Sequence, residues 1–126
     1  MARLSEQMTF NNTCIAPQTL NNSTASSVGV SMALHRRFVY TVYPGSMPGS
    51  GALAWKLQES ETVSGTYDDI SGKTATTTDA EDGKSEIIEI NSSELTSAHP
   101  FVRLFVTESG SQTCYISATM VMEKDY

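Results

Sequence analysis

The sequence has few of the residues on which catalytic and nucleic-acid-binding sites depend. Its 126 residues include two histidines, two cysteines, one tryptophan and eight lysines or arginines, against fourteen acidic residues. The formal net charge of −6 argues against a nucleic-acid partner, because duplex binding rests on cationic side chains that meet phosphates. No apolar stretch approaches the roughly 18 residues of a membrane-spanning helix, which argues against a membrane partner as well.

The two cysteines and the pair of adjacent arginines are expected to be structural. Cys14 and Cys114 match no zinc or redox spacing. A bridge between them would tie the N-terminal segment to the last strand. The N-terminus lacks the apolar run of a secretory signal, however, and this favours two free thiols. Arg36 and Arg37 lie in a strand pattern, where a basic pair is typically solvated or paired across strands.

No arrangement of residues points to a reaction. His35 and His99 lie far apart in the chain without an evident catalytic companion, and the sequence contains no nucleophile elbow or phosphate-binding glycine loop. The acidic runs at 68–69 and 79–83 lack the alternating ligands of a calcium loop, so we interpret them as turns. We therefore expect a protein that is not an enzyme and that has no catalytic, cofactor-binding or metal-binding residues.

The chain is rich in serine, threonine and alternating apolar residues. Its 17 serines and 15 threonines favour strands joined by polar turns over helices. Period-two alternation predicts about seven strands between 28 and 122, the first at 28–34, with a loop at 44–51. Segment 71–84 is expected to be a solvent loop or a frayed edge strand. The fold class is then all-β, a single antiparallel β-sandwich or jelly-roll-like domain, and these residues should form its core: Val30, Phe38, Tyr40, Leu53, Trp55, Leu57, Ile88, Ile90, Val102, Leu104, Ile116 and Met120.

Two segments depart from this alternation. Asn91 and Glu94 have the spacing of a capping box, which predicts one short helical link that ends before Pro100. Residues 1–26 carry scattered apolar side chains with no sustained period, which predicts an irregular N-terminal arm beside a β-sandwich domain at 27–126. We expect this arm to be poorly ordered in the free subunit and to become ordered against a neighbouring subunit or a partner.

Four short pieces resemble a pattern found in small structural proteins of tailed bacteriophages. The pieces are Trp55-Lys-Leu-Gln-Glu-Ser60, Tyr67-Asp-Asp-Ile70, Ile87-Ile-Glu-Ile90 and Phe101-Val-Arg-Leu-Phe-Val106. The coinciding positions are Gln58, Ser60, Tyr67, Asp69, Ile90 and Arg103. The family is that of head decoration (cement) proteins, small β-sandwich or jelly-roll chains that are often trimeric on the capsid exterior. This chain departs from the pattern at 61–65, which replaces the usual Asp-Asp-Gly turn, and at Tyr67, where tryptophan is common.

The resemblance implies a capsid decoration protein that binds the exterior of an assembled bacteriophage head and stabilises it. The major capsid protein would be its partner and a homotrimer its oligomer. Its location would be the virion exterior after synthesis in the host bacterial cytoplasm. We expect these contact residues for the capsid or a neighbouring subunit: Leu4, Met8, Phe10, Ile15, Tyr43 and Met47.

Two other classes of function stay open. One is a phage tail or host-surface module that binds carbohydrate or mediates adhesion, which an exposed row of tyrosines would favour, with Tyr40, Tyr43 and Tyr115 as candidates. The other is a small hydrolase, for which the sequence contains no motif.

Overall fold

The computed structural model describes residues 8–47, 49–78 and 84–124, with side chains from Cys14 onward. Within these ranges the chain forms one 3-10 turn at Ser92–Glu94 and the following strands: β1 (Met8–Leu20), β2 (Thr24–Ser26), β3 (Val30–Ser31), β4 (His35–Pro44), β5 (Ala52–Ser60), β6 (Asp68–Thr78), β7 (Glu86–Asn91), β8 (Phe101–Ser109) and β9 (Cys114–Lys124). In this part of the chain, no helix has the length and apolar character needed to cross a membrane.

The strands form two antiparallel sheets whose inner faces enclose the core. We call the sheet with the order β1-β9-β4-β7 the front sheet and the sheet with the order β2-β8-β5-β6 the back sheet, in which β3 also pairs with β8. The pairing is nested along the chain. The first strand pairs with the last, β2 and β3 with β8, β4 with β7, and β5 with β6. This nesting is that of a jelly roll built from two Greek keys, so the expected fold class is confirmed.

The core consists of the side chains that the alternation places on the inner faces. Eleven of the twelve predicted core residues are buried, and Val30 is partly buried against them. Trp55 is 1% exposed, and its indole N–H donates to Thr77 Oγ1 at 3.2 Å. The largest side chain of the core therefore has a partner for its single polar group, as a buried tryptophan needs.

The prediction of an irregular N-terminal arm is wrong for the residues described here. β1 is the edge strand of the front sheet and pairs with β9 along its length, and β2 pairs with β8 in the back sheet. Cys14, Ile15 and Leu20 are buried in the core. The β1–β9 register shifts on both sides of Ile15, and such bulges interrupt alternation. A sequence pattern based on period two therefore does not detect this strand.

The segment 28–34, predicted as the first strand, is mostly loop. Only Val30 and Ser31 pair with β8, whereas Val28 and Leu34 are 76% and 78% exposed. Alternation alone cannot distinguish a strand from a loop that crosses the end of a sheet. The apolar residues that alternate in this segment therefore do not share one face: they are Val28, Val30, Met32 and Leu34.

Two less regular segments agree with their predictions. β6 continues through residue 78 as the edge strand of the back sheet, which is one of the two alternatives expected for 71–84. The short helical link is the 3-10 turn, and the Asn91 backbone N–H donates to Glu94 Oε1 at 3.0 Å in front of it. This bond is half of the predicted capping box.

Candidate functional site

The structure separates the residues predicted to contact a partner: Leu4, Met8, Phe10, Ile15, Tyr43 and Met47. Leu4 lies outside the described residues, and the side chains of Met8 and Phe10, on β1, also lie outside the described part. Ile15 and Met47 are each 3% exposed within the core, so neither side chain can reach a partner from this fold. Tyr43 is exposed on the front sheet.

Exposed aliphatic side chains are grouped at one end of the sandwich. Three loops lie there, at 27–34 between β2 and β4, at 61–67 between β5 and β6, and at 92–100 between β7 and β8. We call these three loops the apolar end. Val28 and Leu34 on the first loop are more than three-quarters exposed, and Val63 on the second is 47% exposed.

Contacts between the three loops hold the apolar end together. The Tyr67 hydroxyl donates to the Val63 carbonyl at 2.8 Å and lies so close to Gly29 that a Cβ there would overlap it. The buried Glu59 carboxylate at the end of β5 accepts the Thr96 backbone N–H at 3.0 Å. The exposed aliphatic side chains therefore extend from a backbone that is already bound in place.

His99 also joins the third loop to β5. Its Nδ1 lies 3.7 Å from Glu59 Oε1, and its Nε2 lies 3.8 Å from Glu61 Oε1. Its backbone N–H donates to the Thr96 carbonyl at 3.0 Å, in the loop that follows the 3-10 turn at Ser92–Glu94. Both carboxylates lie beyond hydrogen-bond distance of the imidazole, whereas the Thr96 backbone N–H is hydrogen-bonded to Glu59 and so ties this loop to β5.

Two exposed tyrosines lie next to each other near the opposite end of the front sheet. Tyr43 on β4 pairs in register with Ser117 on β9, which places it diagonally across from Tyr115 on the same face. They are 44% and 57% exposed, whereas Tyr40 is fully buried and belongs to the core. We call the shallow groove beside the two exposed tyrosines the tyrosine groove. Its other lining residues are Pro17, Gln18, Pro44, Gly45, Ile116 and Ser117.

Gly45 holds Tyr115 in position. The Gly45 backbone N–H donates to the Tyr115 carbonyl at 2.8 Å, just beyond the last residue of β4. A Cβ on residue 45 would lie 2.8 Å from the Tyr115 Cβ, which is too close for two carbon atoms. This close approach requires glycine at position 45 and fixes one wall of the tyrosine groove.

Four of the six residues that carry the family resemblance form a cluster on the outer face of the back sheet. Gln58 Oε1 accepts the Arg103 Nε–H at 2.8 Å, and Gln58 Nε2 donates to Asp69 Oδ1 at 2.8 Å. The Arg103 guanidinium lies 4.1 Å from the centre of the Tyr67 ring, and Lys56 Nζ lies 3.0 Å from Asp69 Oδ2. We call these five residues the polar cluster. It joins β5, β6 and β8.

The charged groups of the polar cluster interact with other members of the cluster. Hydrogen bonds from Gln58 and then from Lys56 lower the pKa of Asp69, although burial opposes them slightly. Burial raises the pKa of Tyr67, and the nearby Arg103 opposes that change. We interpret the cluster as a feature that holds three strands in register. Four of its members are positions of the sequence resemblance, but the contacts between them depend on the pairing of β5 with β6 and β8.

The adjacent arginines are paired across strands, as expected. Both contact Glu123 on β9, whose side chain is largely buried. Arg36 Nε donates to Glu123 Oε1 at 2.9 Å, and Arg37 Nη2 lies 2.9 Å from Glu123 Oε2. The pair therefore fastens the start of β4 to the end of β9.

The two cysteines are free and buried, which confirms the expectation of two free thiols. Burial raises the pKa of the Cys14 thiol to about 11, against a smaller opposite effect of a hydrogen bond with Ser27. Burial and the neighbouring Glu108 carboxylate raise the pKa of Cys114. Both thiols are therefore protonated at neutral pH and are poor nucleophiles.

Comparison with solved structures finds this fold in proteins of several kinds. The PBSX exported protein XepA matches 100% of this chain and 40% of its own, with a TM-score of 0.65 and 10% identity. A chain of Triatoma virus matches over 93% of this chain and 64% of its own, with a TM-score of 0.64 and 7% identity. The module CBM28, specific for non-crystalline cellulose, matches over 87% and 73%, with a TM-score of 0.50 and 10% identity.

These similarities are confined to the fold. No protein-family model matches the sequence, and no curated protein matches it either. The chain spans less than half of XepA and slightly less than two thirds of the Triatoma virus chain. At identities this low, the shared architecture carries no information about ligands, since one fold supports many functions.

Proposed function

We propose that this chain is a structural protein of a bacteriophage particle, a decoration protein that binds the exterior of an assembled head through its apolar end. The observation that carries this proposal is the exposure of Val28, Leu34 and Val63 on loops that contact one another at one end. Single exposed apolar residues are common, but a group of them marks an interaction site. The partner of such a surface is another protein surface, here that of the major capsid protein.

Three further observations support the proposal. The sequence resembles the decoration protein family over roughly residues 28–122, and a chain of Triatoma virus shares the fold. The net charge of −6 suits a subunit made in many copies, because like charges keep free copies apart before they reach the head.

The start of β1 lies at this same end of the molecule. β1 begins at Met8, opposite Glu123, near the first loop of the apolar end. Leu4 therefore precedes a strand that starts there, and it remains a proposed contact together with Val28, Leu34 and Val63. Ile15 and Met47 are not among the proposed contacts, because both side chains lie in the core.

A decoration protein acts by mass action. A ligand that binds the assembled shell and not free capsid subunits stabilises the assembled state by RT ln(1+[L]/Kd). We propose a closed trimer, since a local three-fold position on a head accepts three equal subunits. Three apolar ends on one trimer also gain from effective concentration, so each contact can be weak on its own.

The test is co-sedimentation with purified heads of the phage that carries the gene. The double variant Val28→Asp/Leu34→Asp places two charges on the apolar end, and both sites are so exposed that the melting temperature should stay unchanged. We expect the wild type to sediment with heads and the double variant to stay in the supernatant. Ile87→Asp is the matched control, because Ile87 is 65% exposed but lies on the front sheet.

Two results would contradict the proposal. One is a wild-type protein that stays in the supernatant with full and empty heads alike. The other is a double variant that binds as tightly as the wild type, which would exclude the apolar end as the docking surface. Sedimentation of the free protein as a strict monomer at high concentration would contradict the proposed trimer. Head binding would then still be decided by the co-sedimentation assay.

A further inference from the structure

The tyrosine groove is separate from the proposed docking surface. β4 and β9 both extend from the apolar end, where His35 pairs with Lys124, to the groove, where Tyr43 pairs with Ser117. The groove therefore lies toward the opposite end of the front sheet. A molecule docked through its apolar end would keep the groove open to solvent.

The groove has the components of a sugar-binding surface. Tyr43 and Tyr115 present two aromatic rings on one sheet face, each about half exposed. Exposed aromatic rings bind surfaces that are apolar on one side and polar at the edge, because the ring is apolar and the hydroxyl is not. A pyranose ring whose hydroxyls are all equatorial has this character, with C–H groups on its faces and hydroxyls around its rim.

Polar side chains also line the groove beside the two tyrosines. Gln18 is exposed on β1, and its Nε2 donates to the Ala16 carbonyl at 3.2 Å, which orients the amide. Ser117 on β9 pairs with Tyr43 and lies two residues from Tyr115, and it adds a hydroxyl to the lining of the groove. A few placed polar groups beside an apolar surface are the usual composition of a specific small-molecule site.

The surface is also held in its binding shape before a ligand arrives. Gly45 hydrogen bonds to the backbone of Tyr115 and leaves no room for a side chain between them. Pro17 and Pro44, which line the groove, limit the backbone of both neighbouring strands. A preorganised site loses less conformational entropy on binding, which allows a small surface to bind measurably.

From this arrangement we infer that the tyrosine groove binds a chain of β-1,4-linked pyranose residues, the kind of polymer found in cell walls and plant fibres. The groove is shallow and bounded by flat rings, so it suits residues within a chain better than a buried terminal sugar. This inference concerns a second site and does not depend on attachment to a phage head.

The experiment is isothermal titration of the full chain with cellohexaose and with hexa-N-acetylchitohexaose. We expect the wild type to bind at least one of these probes. Tyr43→Ala and Tyr115→Ala should each weaken that binding about tenfold, since each removes one aromatic contact. Tyr115→Phe keeps the ring and should retain most of the affinity. Gly45→Ala, which leaves both rings in the chain but displaces Tyr115, should weaken binding as well.

Matched variants separate this inference from head attachment. Leu34→Asp at the apolar end and Ile87→Ala on the same sheet should leave sugar binding unchanged, and the buried Trp55 reports through its fluorescence that each variant is folded. The inference is wrong if the wild type binds neither probe at millimolar concentration, or if both tyrosine-to-alanine variants bind like the wild type. Either result leaves the co-sedimentation assay unaffected.

Discussion

The outer faces of the two sheets are built differently. On the back sheet, the charged and aromatic side chains contact one another, as Arg103 does with Gln58 and Tyr67. On the front sheet, Tyr43 and Tyr115 stand exposed beside a groove. The back face pairs its polar groups with one another, whereas the front face leaves two aromatic side chains open to solvent at the tyrosine groove.

This difference explains why the sequence resemblance concerns the internal contacts of the sandwich and not its binding surfaces. Gln58, Tyr67, Asp69 and Arg103 are all positions of the resemblance, and all belong to the polar cluster that joins β5, β6 and β8. The exposed residues proposed for binding lie outside those positions. A pattern of this kind therefore marks a way of holding the sandwich together, while the binding surfaces are free to differ.

The largest effect is expected from removing β1, on which the front sheet depends. Deleting residues 1–20 exposes the pairing edge of β9 and takes Ile15 and Leu20 out of the core, each worth about 1.5–3 kcal/mol of burial. Together with the lost strand pairing, this is a large share of the roughly 5–15 kcal/mol that stabilises a domain. We expect circular dichroism to show no cooperative melting transition.

A shorter deletion is the control for this prediction. Deleting residues 1–7 leaves all of β1 in place and should preserve the melting transition. If the chain without residues 1–20 melts like the full chain, the front sheet does not need β1, and an N-terminal arm separate from the sandwich would be the better description.

A smaller loss of stability is expected from breaking the polar cluster. Arg103→Ala leaves the Oε1 of Gln58, a residue only 7% exposed, without its donor, which should cost about 1–3 kcal/mol. The matched variant on the front sheet is Tyr115→Ala, which should change stability by no more than about 0.5 kcal/mol because that side chain is exposed. Urea denaturation measures both.

The comparison between the faces predicts opposite effects on binding. Arg103→Ala should keep the sugar affinity of the wild type at a temperature where it is folded, whereas Tyr115→Ala should bind about tenfold more weakly. Equal stability of the two variants, or loss of sugar binding in Arg103→Ala alone, would show that the two faces do not divide structure and binding in this way.

Much of the fold follows from the sequence because alternation depends only on which side of a strand faces the core. Leu53, Trp55 and Leu57 alternate with polar residues, so their burial can be predicted without knowing the partner strands. β1 could not be found this way, because its register shifts on both sides of Ile15. Alternation also predicts a strand at 28–34, where most of the segment is loop, because alternation without pairing to a neighbouring strand does not make a strand.

The candidate surfaces depend on contacts that no local pattern contains. Tyr43 and Tyr115 were each identifiable as candidates, but only the β4–β9 register brings them to neighbouring positions. The contact between Gln58 and Arg103 likewise depends on the pairing of β5 with β8. The sequence therefore predicts which residues matter at the tyrosine groove and in the polar cluster, but it does not predict how they are arranged.

The smallest effect is expected at the exposed rim of the polar cluster. Lys56 and Asp69 form an ion pair whose side chains are 34% and 59% exposed. Exposed pairs of this kind contribute about 0–1 kcal/mol and are weakened by salt. We expect Lys56→Gln to lower the free energy of unfolding slightly at low ionic strength and not measurably at high ionic strength.

The pH dependence of stability should show that Gln58, more than Lys56, holds the Asp69 carboxylate. The pKa of Asp69 is lowered from its ordinary value of 3.8, with the Gln58 hydrogen bond as the largest cause. A lowered pKa means that the stabilisation is fully present above pH 3.8 and is lost as the pH falls through the folded value. Asp69→Asn should remove this acid-dependent loss in urea denaturation between neutral and acidic pH, while Lys56→Gln should reduce it only in part. If Lys56→Gln removed all of it, the ion pair would be the main interaction of Asp69, and the hydrogen bond through Gln58 would not be what secures β6 to β5.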